Sequence, residues 1–373
     1  MHIGLILYGS LDTLSGGYLY DRMLVTHLQE QGDQVTLISL PPTGYRRSLA
    51  HNFNAALRQK LLTANFDLLL QDELCHPSLY WLNRSLRQQA SYPVVSIVHH
   101  LRISEHHMLW QRPFYRFIER QYLSTVDGFV YNSQTTQATV EKEVSPRPSL
   151  VALPAADHIQ PEISDEAITE RAYQPGPLRL LFVGNLIRRK NIHLLLMALA
   201  QLPRDQFTLT LAGDTSVSPR YTQLLAATRQ QAGLSNVTIT GRITDAELKT
   251  LYQNSHLLVA PSQYEGFGIV YLEGMGYGLP ALAGRAGGAG EIIRHGRTGY
   301  LLDHEAGQMV NQLVEHLTLW HQQRPLLAKM SLDARQAYLK QPTWTENMAR
   351  VSHFLQEMCL THASLGSKRN QEK

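Results

Sequence analysis

YEGFGIVYLEGMGYGLP, Tyr264 to Pro280, sets two carboxylates, Glu265 and Glu273, eight residues apart in a run otherwise made of glycine and apolar side chains. A charge in such a setting is costly to desolvate, so each glutamate should either point to solvent or meet a polar partner. The spacing of Ile269, Leu272 and Met275 predicts a helix that starts near Gly268. That places Glu265 in the loop before the helix and Glu273 within its first two turns. HLLVAPS (256–262) ahead of the loop and LPALAGRAGG (279–288) after the helix both read as strands. Strand, glycine-rich loop, helix and strand in that order form the repeating unit of a parallel sheet.

The pattern extends outward in both directions. LRLLFVGNL, FTLTLAGD and NVTITGRI precede the quoted stretch, with helical spacing between them. In the first half, HIGLILYG, QVTLISL, FDLLLQD, YPVVSIVHH and VDGFVYNS form an equivalent series, and the helix-like GGYLYDRMLVTHLQEQGD lies between the first two. Around 154–178 the chain turns proline-rich and acidic without a strong apolar stripe, which reads as the region of an interdomain linker. The expected organisation is α/β: a Rossmann-like domain over 1–160 and a second Rossmann-like domain over 177–340. Residues 341–373 would add a helix and a polar tail, the helix packing back on the first domain. Two doubly wound sheets in tandem are expected to face a central cleft, the usual place for a ligand in such sheets.

Composition narrows the function. The 373 residues are 43% apolar and 17% charged, as in a folded globular protein. The 34 basic and 31 acidic residues give a charge of +3, too weak for a nucleic-acid footprint. Cys75 and Cys359 have neither the number nor the spacing of a disulfide framework or a zinc site, so a reducing cytoplasm is expected. MHIGLILYGS lacks a basic leader and reads as a buried strand, and no window has the apolar length of a membrane span.

Backbone N–H groups at the start of a helix near Gly268 suit phosphate oxygens, and Gly266 and Gly268 allow close approach. Glu273 has the fixed orientation needed to accept both vicinal hydroxyls of a ribose, and Glu265, in a mobile loop, could meet a sugar hydroxyl. The plainer alternative makes Glu265 an ordinary charge at a helix N-terminus and Glu273 a solvated residue.

At this point the sequence resembles the retaining glycosyltransferases of family 4, which have the GT-B fold. The family has two glutamates separated by seven residues inside a phrase like PS..EGFG...lEAma.G.P, and this chain has PSQYEGFGIVYLEGMGYGLP from Pro261 to Pro280, departing at Gly274. The likeness continues through AGGAGEIIRHGRTGYLL (286–302), LLFVGNLIRRKN (180–191) and LTLAGD (209–214). It is strong over most of 177–305 and looser in the N-terminal half.

The resemblance implies a set of roles, with 1–160 as the acceptor-binding domain and 177–340 as the nucleotide-sugar donor-binding domain. Glu265 would orient the sugar and Glu273 would hold the ribose. Gly266, Phe267, Gly268 and Ile269 would line the donor phosphates, with Lys190 on the β-phosphate. Where the family often has an arginine after the glycine of FVGN, this chain has Asn185, and Arg188 or Arg189 would supply the charge, Arg189 being preferred. Gly16 and Gly17 in SGGYLYD would let the N-terminal domain approach the donor. In VVSIVHHLRISEHH, His99 would stand near the transferred sugar, with His100 as second choice.

No metal site is expected, because neither acids nor cysteines flank these histidines in a ligand pattern and no Asp-x-Asp motif is found. The implied substrate is a UDP-, GDP- or ADP-sugar, the acceptor a hydroxyl that is free or lipid-linked, and no cofactor is required. A non-catalytic sugar-nucleotide-binding relative and a sugar-nucleotide epimerase share these features.

RISEHHMLWQRPFYRFIERQYL (102–123) reads as one helix with Arg112, Arg116 and Arg120 on one side and Trp110, Phe114, Phe117 and Ile118 on the other. Such a helix either packs its apolar side into the core or lies on the inner membrane face, and Glu105 and Glu119 weigh against the membrane.

Overall fold

The computed structural model describes residues 1–105, 108 and 110–371, with side chains through Ser364; His106 and His107 of the four-histidine stretch lie outside the described residues. The chain divides into two compact units, Met1–Pro154 with Trp344–Lys373, and Ala155–Thr343.

The first unit is built on six parallel strands: β1 (His2–Tyr8), β2 (Gln34–Leu40), β3 (Leu68–Asp72), β4 (Val94–Val98), β5 (Gly128–Tyr131) and β6 (Ser149–Val151). Their order is β2-β1-β3-β4-β5-β6. Every residue of β3 and β4 is buried, and both strands are apolar apart from Gln71, Asp72 and Ser96. Strand order reverses between β1 and β3, so the loops after β1, β3 and β4 gather at one place on the carboxyl edge. The Trp344–Gln371 helix packs against the Gly16–Glu30 helix. Trp344 lies edge-on to Tyr20 at 5.8 Å, and Asn347 Nδ2 donates to Leu153 O at 2.7 Å.

The second unit repeats the plan with β7 (Leu178–Val183), β8 (Phe207–Ala212), β9 (Val237–Gly241), β10 (Leu257–Ala260), β11 (Ala281–Gly284) and β12 (Gly299–Leu302), all parallel, in the order β12-β11-β10-β7-β8-β9. Here the reversal falls between β7 and β10, and the loops leaving these neighbours carry the residues singled out in the sequence.

The structure differs from the sequence reading in three places. The second unit begins at Ala155 and not at 177, because the stretch read as linker contains a helix, Asp165–Tyr173, that buries Ile168, Arg171 and Ala172. Arg171 is 5% exposed, and its guanidinium donates to the carbonyls of Tyr252, Gln253, Tyr277 and Gly278 at 2.7–3.3 Å. Those carbonyls cluster near the C-terminal ends of two helices, Asp245–Asn254 and Ile269–Gly276, where a cation is favoured.

The second difference is the basic segment: among its described residues the α-helix covers Arg112–Leu123, with a separate 3-10 turn at Arg102–Ser104. Ile118, Glu119, Tyr122 and Leu123 face the core, while Trp110, Phe114 and Phe117 are exposed, so the apolar residues do not share one buried side. Third, the polar tail continues as helix to Gln371. Among the described residues no helix is long and apolar enough to cross a membrane.

Candidate active site

Pairing of β10 with β7 sets their two following loops side by side. After β7 the chain makes a 3-10 turn, Arg188–Lys190, and passes through Asn191, whose φ of 52° is the left-handed step that starts the Ile192–Leu199 helix. After β10 it runs from Pro261 to Gly268. Gln263 N donates to Arg189 O at 2.8 Å and ties the loops together.

Across this seam Lys190 Nζ meets Glu265 Oε1 at 2.5 Å. Arg189 Nη1 stands 3.6 Å from Glu265 Oε2 and also donates to Tyr264 O. Burial by itself would raise the Glu265 carboxyl; the charges of Lys190 and Arg189 outweigh it and hold the group at about 2. Burial pulls the Lys190 ammonium down against the attraction of Glu265. Arg188 is exposed.

The loop holding Glu265 is fastened, contrary to the expectation that it is mobile. Glu265 bridges to Gly287, and Gly288 N donates to Glu265 O at 2.9 Å. A Cβ at Gly287, where φ is 91°, would come within 1.9 Å of Glu265 O, so the glycines of AGGAG permit the fastening.

Gly268, with φ 97°, caps the Ile269–Gly276 helix. A Cβ there would stand 2.5 Å from the Tyr271 ring, whose hydroxyl donates to Ala260 O at 3.1 Å. Phe267 and Ile269 bury their side chains, so these two positions offer a ligand backbone only. Four helix turns are not needed for an N-terminus to favour anions, but the site also has Lys190 and Arg189 at hand in the same unit.

Glu273 is 7% exposed, which excludes a solvated face. Tyr252 Oη donates to its Oε2 at 2.6 Å, and His158 Nε2 lies 3.2 Å from Oε1. The carboxylate is thus fixed from both sides, and each oxygen keeps a further lone pair for a ligand hydroxyl.

In the first unit, Ser15 caps the Gly16–Glu30 helix, and Gly16 and Gly17 form its first turn. His99 follows β4 and lies against Gly17, while its Nε2 is 3.0 Å from Asp21 Oδ1. His100 Nε2 contacts Glu105 Oε1 at 3.2 Å instead.

Around His99 is a group of buried acids that the sequence reading missed: Asp21, Asp72, Glu73 and Glu119, each no more than 1% exposed. Burial pushes Asp72 up to about 7 and Glu73 up to about 8. Glu119, read as a surface charge, accepts the backbone N–H groups of Arg102 and Ile103 at 2.5 and 3.2 Å. The phrase QDELCHP at the end of a strand-like run was the available signal for Asp72, Glu73 and His76.

Polar atoms of Asp21, Asp72 and His99, and those of Glu73, His76 and Glu119, lie within 4.8 Å of one another in each trio. His76 Nδ1 is 2.9 Å from Glu73 Oε1 and 3.1 Å from Glu73 O, and its Nε2 is 2.9 Å from Tyr45 Oη.

Comparison with known proteins places both units. Residues 164–337 match the family described as Glycosyl transferases group 1, and residues 16–156 match the Glycosyl transferase 4-like domain. A glycogen synthase of Mycobacterium tuberculosis is 34% identical over 131 residues, 35% of this chain and 31% of that protein, so the match spans under a third of the relative's length. A GDP-mannose-dependent alpha-(1-6)-phosphatidylinositol monomannoside mannosyltransferase of the same organism is 26% identical over 67% of each chain.

Among solved structures, sucrose-phosphate synthase from Thermosynechococcus elongatus superimposes with a TM-score of 0.80 at 20% identity, covering 96% of this chain and 99% of that one. Anabaena HepE in complex with UDP-glucose gives a TM-score of 0.76 at 18% identity, covering 96% and 100%. These likenesses establish the GT-B fold, two Rossmann-like domains each on a six-stranded parallel sheet. With one family match in each unit, and both Glu265 and Glu273 inside the match over residues 164–337, the chain belongs to the group 1 glycosyl transferases and carries a glycosyl transferase 4-like N-terminal domain.

Proposed function

We propose that the protein is a retaining, metal-independent hexosyltransferase of family 4, which moves a hexose from a UDP-, GDP- or ADP-sugar to a hydroxyl acceptor. The observation that carries this reading is the largely buried Lys190–Glu265 ion pair, flanked by Arg189, which joins the turn after β7 to the glycine-rich loop that leads to the Ile269–Gly276 helix.

The diphosphate gains negative charge as its bond to the anomeric carbon breaks, and cations already in place stabilise that charge without reorganisation. Lys190, Arg189 and the backbone N–H groups at 266–269 would serve the diphosphate, Glu273 the ribose, and Glu265 and His99 the sugar. The acceptor oxygen bonds to the anomeric carbon on the face from which the diphosphate leaves, and its proton passes to the departing phosphate oxygen. No enzymic nucleophile is consumed.

Two relatives name different donors. HepE was crystallised with UDP-glucose, and the mycobacterial mannosyltransferase is named for GDP-mannose. That mannosyltransferase is also named for a phosphatidylinositol acceptor. A lipid-linked acceptor would be met at the cytoplasmic membrane face, and the exposed Trp110, Phe114 and Phe117 beside exposed arginines support a peripheral contact there.

The test is binding and turnover across a panel of UDP-, GDP- and ADP-sugars in the presence of a chelator, with products identified by mass spectrometry. Preferential release of one nucleoside diphosphate with free or transferred hexose is expected. An isomerised nucleotide sugar formed without acceptor would replace this reading with an epimerase, and failure to bind any of the panel would overturn the phosphate and ribose assignments.

A further inference from the structure

We propose that Asp21, together with Gly17, is a positioning device for His99: it holds the imidazole by Nε2 against the first turns of the Gly16–Glu30 helix and leaves Nδ1 as the atom for substrate. Residues 17, 20 and 21 of a helix share one face, because i, i+3 and i+4 lie one turn apart. All three touch the same ring. Asp21 Oδ1 is 3.0 Å from His99 Nε2, with the two side chains 0% and 6% exposed. The Tyr20 ring stands edge-on to the imidazole with centroids 5.4 Å apart.

At Gly17 a Cβ would fall 3.1 Å from His99 Cδ2 and 3.3 Å from Cγ, so the ring would have to give way by a few tenths of an ångström. The second glycine of SGGYLYD therefore has a use separate from any approach to phosphate: it leaves the space into which the ring fits.

Two atoms mark what is incomplete. His99 Nδ1 and Asp21 Oδ2 are buried and have no hydrogen-bond partner. With Nε2 committed to Asp21, Nδ1 is the ring atom whose partner is missing, and an unpaired buried polar atom is costly unless a ligand completes it. Asp72, within 4.8 Å of both groups, adds a second carboxylate and reinforces the field that holds the ring in place. Asp21 and Asp72 act on the reaction through His99.

This inference rests on the transferase reading only for the use to which Nδ1 is put. The clamp itself can be measured without turnover. The first experiment is imidazole NMR of the full-length 15N-labelled chain, with His99 assigned by comparison with His99→Gln. The expected result is an Nε2 that stays protonated and a His99 titration displaced above the ordinary value of about 6.5. Asp21→Asn should lower that titration by about one unit or more.

In steady-state assays, Asp21→Asn and Gly17→Ala should each lower kcat about tenfold or more while the donor KM moves less than about twofold. Asp21→Glu should restore part of kcat. An ordinary His99 titration in the unaltered chain, or one that Asp21→Asn leaves in place, overturns the clamp even if transfer proceeds. A Gly17→Ala effect confined to donor KM returns that glycine to the phosphates. If no sugar is transferred by the unaltered chain, the NMR result still stands by itself.

Discussion

Lys190 Nζ and Glu265 Oε1 are 2.5 Å apart, and the second Glu265 oxygen faces Arg189. The glutamate therefore occupies the cations that a diphosphate would need. Donor binding should exchange one anion for another on Lys190 and release Glu265 toward the sugar. Lys190→Ala is expected to lower turnover by about 100-fold. Glu265→Gln removes the competing charge, so a nucleoside diphosphate should bind at least as tightly while turnover falls. Calorimetric titration beside steady-state kinetics separates the two effects. Loss of diphosphate affinity in Glu265→Gln would contradict the exchange.

Glu273 is fixed by Tyr252 and His158 before any ligand arrives, which lowers the entropy cost of using it. Hydrogen bonds to a charged group contribute about 1.5–3 kcal/mol each. Glu273→Ala should then raise the donor KM by about tenfold or more at nearly constant kcat. A KM within experimental error of the original would remove the ribose role.

Arg171 binds four backbone carbonyls from beneath the helix that carries Glu273. Arg171→Met keeps much of the stem and strands these acceptors, so unfolding free energy should fall by about 3 kcal/mol or more. Urea denaturation followed by fluorescence measures it. A loss under about 0.5 kcal/mol would mean that water replaces the guanidinium.

His256 gives the same region a pH dependence. Its Nδ1 accepts the Arg179 N–H at 2.8 Å and its Nε2 lies 2.9 Å from Arg171 O, an arrangement that requires the neutral ring. Burial, with Arg179 adding to it, depresses this histidine to about 3. Between about 3 and the ordinary value near 6.5 the unfolded chain binds the extra proton. Stability from this group is complete above about 6.5 and drains away as pH falls, at about 1.4 kcal/mol per unit. Denaturation at pH 7.5 and pH 5 should show the difference, and His256→Asn should reduce it. Equal slopes in both proteins would rule this histidine out as the source.

Trp110 and Phe117 are 66% and 58% exposed, Arg112 and Arg120 lie exposed on the same segment, and the Glu119 charge that argued against a membrane is buried. Flotation with vesicles containing anionic lipid should recover the protein at low salt. Replacing Trp110 and Phe117 by serine should abolish recovery, and neutral vesicles should recover little. Unchanged recovery after the double replacement would assign the aromatic surface another use.

The central strands were legible because they are buried on both faces and so are rich in apolar residues; VVSIV coincides with β4 from Val94 to Val98. Strands β6 and β12 were not. They are three and four residues long, too short for a pattern to repeat, and both stand at sheet edges. The Asp165–Tyr173 helix was missed for a different reason: its anchor is Arg171, and an apolar count scores arginine as surface. The same rule hid Asp21, Asp72, Glu73 and Glu119, since acids are taken to be outside unless a partner is known. Glu265, Glu273 and Lys190 were found because an ordered set of motifs carried them. The groups that hold the two glutamates, Tyr252 and His158 on Glu273 and Arg189 beside Glu265, come from other elements, and of these only Arg189 was indicated by the motifs.

Because Trp344–Gln371 packs onto the Gly16–Glu30 helix, the first unit is made of the earliest and the latest parts of the chain. On a ribosome, residues 155–343 can all emerge and close their sheet while the earlier residues still lack the Trp344 side chain that covers Tyr20. The order of synthesis and the order of completion are thus reversed: the unit begun first is finished last. Until then the uncovered side of the Gly16–Glu30 helix is the surface most in need of a chaperone.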